Sequence, residues 1–134
     1  MPPAARARRE DGERASAVVE FALALPLVLT MAVALLQVGL LVKDQVVLEG
    51  VARAAVREGA VTADDARVQQ AAVDAAAGLD PERLQVEVRR LGGGGTPVEV
   101  RVTYWAHADL PLVRWLFPEA IDLRATAVMR QETG

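Results

Sequence analysis

Few side chains in this sequence are spaced for chemistry, and each candidate can be weighed from its neighbours. Asp64 and Asp65 could do general acid–base work. Adjacent residues of a helix do not share a face, so the two carboxylates cannot flank one substrate, and they read better as surface acids that complement a helix dipole. His107 is the single histidine and stands between Ala106 and Ala108, with no partner that would make it a base or a ligand. No cysteine occurs, which removes disulfides and thiolate metal sites. Gly92 to Gly95 could cradle a phosphate, but no Gly-Lys-Ser/Thr and no helix start follows, so the run reads as a loop. Glu20 is different. It stands directly before a long apolar run, where an ionised acid costs about 2.5–3.5 kcal/mol at mid-bilayer and less at the interface. Such an acid either complements the positive end of its helix or pairs with a free amine on a neighbouring subunit. No catalytic residue, cofactor or metal is expected, and the chain is not expected to be an enzyme.

The element that positions Glu20 is the apolar run itself. From Phe21 to Val42 there are 22 residues without a formal charge, and Thr30 and Gln37 are its only polar side chains. As a helix it spans roughly 33 Å, which matches a hydrocarbon core of about 30 Å. A helix apolar on every side needs lipid or a thick protein core, and the rest of a 134-residue chain could hardly wrap it. A cleavable signal peptide would have a shorter apolar region, about 7–15 residues, with a small-x-small exit that this run lacks. Arg6, Arg8, Arg9 and Arg14 cluster before the span, which favours a cytoplasmic N-terminus and an extracytoplasmic remainder. Composition agrees with a folded remainder: hydrophobic residues make up 52%, too many for a disordered tail. The net charge of −3 argues against a nucleic-acid partner.

Beyond the span, Val47, Val51, Ala54 or Ala55 and Glu58 recur at helical spacing, which predicts an extension of the helix to a stop at Gly59. Thr62-Ala63-Asp64-Asp65 reads as an N-cap with an acid at the third helical position. A second helix is predicted over 63–77, burying Ala66, Val68, Ala72, Val73 and Ala76, with Gly78 closing it. The period then becomes two. Leu84, Val86 and Val88 alternate with polar residues, as do Val98, Val100, Val102 and Tyr104, and the glycine-rich loop joins the runs as a hairpin. Ile121, Leu123, Ala125, Ala127 and Met129 predict a third strand. Three strands with one apolar face need a cover, which the two helices supply. Between the last two strands, Trp115, Leu116 and Phe117 are each worth about 1.5–3 kcal/mol if buried. They read either as a connection packed on the sheet or as a contact patch for a neighbouring subunit or the membrane surface.

Ala15-Ser16-Ala17-Val18-Val19-Glu20-Phe21-Ala22-Leu23-Ala24-Leu25-Pro26 resembles the N-terminus of TadE-like pseudopilins, minor subunits of the tight-adherence (Flp-type) pilus system. The stretch from Gln45 to Ala60 resembles that family's helix extension, and Leu123 to Arg130 its last strand. The resemblance implies that a prepilin peptidase removes a short charged leader between Ala15 and Ser16, so that Glu20 becomes the fifth mature residue. The family usually has Gly where this chain has Ala15. Pro26 also fits the pattern, and it removes one backbone bond about a turn into the bilayer.

Together these readings predict an α+β, pilin-like protein. A leader and flank occupy residues 1–20, a transmembrane helix 21–42, and an extracytoplasmic domain with a second helix and a three-stranded antiparallel sheet 43–134. The resemblance implies a single-pass membrane subunit that helps to initiate or assemble an adhesive, type IV-like pilus. Its partners would be other pilin-like subunits, the assembly platform, the prepilin peptidase and the lipid bilayer. Glu20, Phe21, Pro26, Trp115, Leu116 and Phe117 are the expected subunit contacts. The alternative is a membrane-anchored extracytoplasmic binding module, in which the span is only a tether.

Overall fold

A computed structural model describes residues 3–92, 95–108, 110–111 and 113–132, with side chains from residue 14 onward. The order of elements is α1 (Pro3–Val61), α2 (Asp65–Ala75), a 3-10 turn at Pro81–Arg83, β1 (Leu84–Arg90), β2 (Pro97–Ala106), a second 3-10 turn at Arg114–Leu116, and β3 (Ile121–Arg130). The chain divides into two compact units, Met1–Leu36 and Gln37–Gly134.

The first unit is helical. Its large apolar side chains stand in the open, among them Phe21, Leu23, Leu27, Met31 and Leu35. Among the described residues, α1 is the one helix long and apolar enough to cross a membrane, and only 6% of its most apolar 18-residue window is buried. A helix at the centre of a soluble domain would bury most of that window, and its exposure here makes α1 a candidate membrane span.

The second unit is built on the C-terminal turns of α1. Leu48, Val51, Ala52, Ala55, Val56 and Ala60 recur at intervals of three and four, and all are buried. They pack with Val68 and Ala72 of α2 against Val98, Val100, Val102, Tyr104 and Ala106 of β2. The sheet has the order β1-β2-β3 and is antiparallel throughout. Its register sets Val88 opposite Val100, Val86 opposite Val102, and Ala125 on the other side of Val102, so the inward residues of all three strands form one apolar face. The period-two reading of the sequence is correct for each strand, except that Met129 is 38% exposed near the end of β3.

Three local expectations are corrected. α1 does not stop at Gly59 but continues to Val61. Gly59 has no positive φ; it faces the sheet, where an added Cβ would lie 3.4 Å from Val98 and 3.6 Å from Val68. Close approach, not termination, explains this glycine. The N-cap of α2 is Asp64 rather than Thr62, because the Asp64 carboxylate accepts from the Ala66 amide at 3.0 Å. The Thr62 hydroxyl instead accepts from the Asp64 amide at 3.2 Å, so the two side chains step the chain into a helix that is shorter at both ends than 63–77. Of the expected buried positions of α2, Val68, Ala72 and Ala76 are buried, whereas Ala66 and Val73 are exposed. Gly78, with φ +81°, does follow the helix as expected. Gly93 and Gly94 of the expected loop, and the side chains of Arg6, Arg8 and Arg9, lie outside the described residues.

Candidate functional site

The first candidate segment, Ala15 to Pro26, lies wholly within α1, and every side chain in it is exposed. Ser16 and Glu20 are four residues apart, one helical turn, and the Ser16 hydroxyl donates to Glu20 Oε1 at 3.4 Å. The residue that would begin the mature chain and the acid at its fifth position therefore share a helix face. Phe21 is 67% exposed beside them. Pro26 sits inside the helix and has no amide hydrogen to offer the Ala22 carbonyl. One turn later the Thr30 hydroxyl donates to the Pro26 carbonyl at 2.8 Å. Such a bond lets a hydroxyl sit in an apolar helix without an unmet donor. Thr30 was visible in the sequence only as a polar interruption; its spacing of four from Pro26 is the signal for this role.

The second candidate segment is the connection between β2 and β3. Leu110 and Val113 form a turn, with the Val113 amide donating to the Leu110 carbonyl at 3.2 Å, and the Leu116 amide donates to the Val113 carbonyl at 2.9 Å. Val113 is fully buried, and Ala108 nearly so. Trp115 is 75% exposed and Leu116 48%, while Phe117 is half-buried. The connection is anchored through Val113, while Trp115 and Leu116, which could have packed on the sheet, are turned outward. An open cleft of about 600 Å³ beside them is lined by His107, Ala108, Arg114, Trp115, Pro118 and Glu119. His107 Nδ1 lies at the surface, 3.2 Å from Arg83 Nη1 and 3.3 Å from the Trp105 carbonyl.

The acid pair is also accounted for. Asp64 caps α2, and Asp65 pairs with Arg90 Nη1, whose Nη2 donates to the Thr62 carbonyl at 3.1 Å. Arg90, at the end of β1, thereby ties the start of α2 to the sheet, a role that no sequence pattern marks. Among the described residues, no group of three His, Asp or Glu side chains is placed to hold a metal ion.

The architecture is that of a small α+β unit carried on a long N-terminal helix that is a candidate membrane span. Residues 15–57 match the model of the TadE-like protein family, the family that the N-terminal motif resembles. The match includes Ala15, Ser16, Glu20, Phe21 and Pro26 and ends within the part of α1 that packs on the sheet. No curated protein and no solved structure matches the chain.

Proposed function

We propose that the chain is a structural, pilin-like minor subunit of a tight-adherence pilus, acting in its initiation or assembly rather than as an enzyme. A TadE-like segment points to Tad pilus systems, and that segment coincides with the candidate span. The observation that carries the finer reading is the placement of Ser16 and Glu20 on one exposed face at the head of an uncharged helix. In this reading a prepilin peptidase hydrolyses the Ala15–Ser16 bond, leaving a carboxylate on Ala15 and a new amine on Ser16. The leader stays on the cytoplasmic side, where the N-terminal arginines hold it. The helix keeps the subunit in lipid until assembly, when packing against other such helices replaces lipid contacts.

Glu20 then neutralises the Ser16 amine of a neighbouring subunit. An unpaired carboxylate is disfavoured in an apolar helix array, so this pairing fixes the axial register between subunits. Phe21 and Pro26 lie within two turns of that pair and supply the adjoining contact. Replacing Glu20 with Gln and with Ala tests the step by co-purification with the other pilus subunits. Both variants are expected to insert in the membrane and to lose most co-purification. Unchanged assembly with either would remove the pairing.

A further inference from the structure

We propose that the connection between β2 and β3 is a second membrane contact, with Trp115 and Leu116 entering the lipid interface on the side of the folded unit. The inference rests on α1 being a membrane span, as proposed above, and adds a lipid-binding surface that the span alone does not require.

Two hydrogen bonds fix the level of β3 along α1 within the Gln37–Gly134 unit. Gln45 Nε2 donates to the Arg124 carbonyl at 3.1 Å, and the Glu132 amide donates to the Ala60 carbonyl at 2.8 Å. β3 therefore runs in the same direction as α1, and its first residue lies toward the lower-numbered turns of the helix. From Arg124 back to Ile121 is about 10 Å of strand. The same distance along α1 is about six or seven residues, which brings Ile121 level with Val38 or Gly39. The connection that precedes Ile121 is thus level with the last turns of the uncharged run.

Burial agrees with this placement. Gln37 is only 2% exposed, although Val38, Leu40 and Val42 on the other faces of the helix are 46%, 42% and 58% exposed. Val113 is buried, yet it is not part of the main core. We read the buried Gln37 and the buried Val113 as marking one level at which the folded unit closes against α1, and Gln37 Oε1 is buried there with no hydrogen-bond partner among the described residues. In the same connection the exposed Trp115 and Leu116 stand near the level of the exposed Val38, Leu40 and Val42. Arg114 is exposed next to them and can reach toward lipid phosphates while its stem lies on the apolar surface. A tryptophan suits this depth, with an apolar ring and one N–H donor for the headgroup zone. An exposed apolar pair at the level where the helix leaves the bilayer favours lipid over a second protein copy.

The test uses the full chain carrying Trp105→Phe, which leaves Trp115 as its single tryptophan. It is reconstituted into phosphatidylcholine–phosphatidylglycerol vesicles whose acyl chains are brominated at shallow or deep positions. Shallow bromine is expected to quench most of the Trp115 emission, deep bromine less, and acrylamide little. Strong acrylamide quenching with none from bromine, in protein that resists an alkaline wash, would overturn the inference and leave the membrane span standing. Shielding from both quenchers that grows with protein-to-lipid ratio would also overturn it, by assigning the patch to a second copy. Release of the chain by the alkaline wash would overturn the span reading, and this inference with it.

Discussion

Gly59 shows how much a single missing Cβ can decide. It lies where α1 presses against β2 and α2, with Val98 and Val68 the nearest side chains. Its backbone is ordinary helix, so alanine meets no conformational penalty there and gains up to about 1 kcal/mol of helix propensity. A 3.4 Å approach leaves room for one methyl but not for a branched side chain. Gly59→Ala is expected to be neutral or stabilising in denaturant unfolding of the Gln37–Gly134 unit, and Gly59→Val to cost about 1–3 kcal/mol through overpacking. Equal stability of the two variants would show that the helix is not held this close to the sheet. In the sequence the same glycine looked like a helix stop, because termination and close approach both select glycine and only a contact 39 residues away separates them. Asp64 and Thr62 illustrate a second limit. Both are good cap residues, both accept a backbone amide two positions on, and sequence alone favours whichever comes first. Glu20 was legible as the one acid beside the apolar run, because a charge there needs a reason.

At the scale of elements, what depended on local period was readable and what depended on distant packing was not. The strands announced themselves by alternation, and their register places the alternating valines opposite one another. The span announced itself by length without charge. The burial of Gln37 did not, since it sits in an apolar run that is otherwise largely exposed, and the tether from Arg90 to Asp65 and Thr62 joins segments with no shared pattern. The helix also changes character along its length. Up to Leu36 it belongs to a unit with no sheet, and from Gln37 it belongs to the folded one. Exchanging residues 21–36 for an unrelated apolar helix therefore leaves Gln37 and the core of the Gln37–Gly134 unit untouched. The exchanged chain is expected to insert and fold, as judged by alkaline extraction and protease resistance, but to lose co-purification with other pilus subunits. Retained co-purification would reduce the span to a tether and favour a membrane-anchored binding module.

At the scale of the whole molecule, two kinds of surface are joined in one chain. The first unit presents exposed apolar side chains from Val18 to Leu36, and the second closes a compact core of valine and alanine. Among the described residues the packing partners in that core are drawn from residues 41 to 127, and Leu41 is the one member from the uncharged run. On the proposed function the helix serves lipid first and neighbouring helices later, provided that it stays on the chain and that its head is trimmed at Ser16. The intact mass of the polypeptide extracted from membranes reads both conditions at once. The account predicts a chain that begins at Ser16 and keeps residues 21–42. A chain that still begins at Met1 or Pro2, or one that begins beyond Val42, would contradict it.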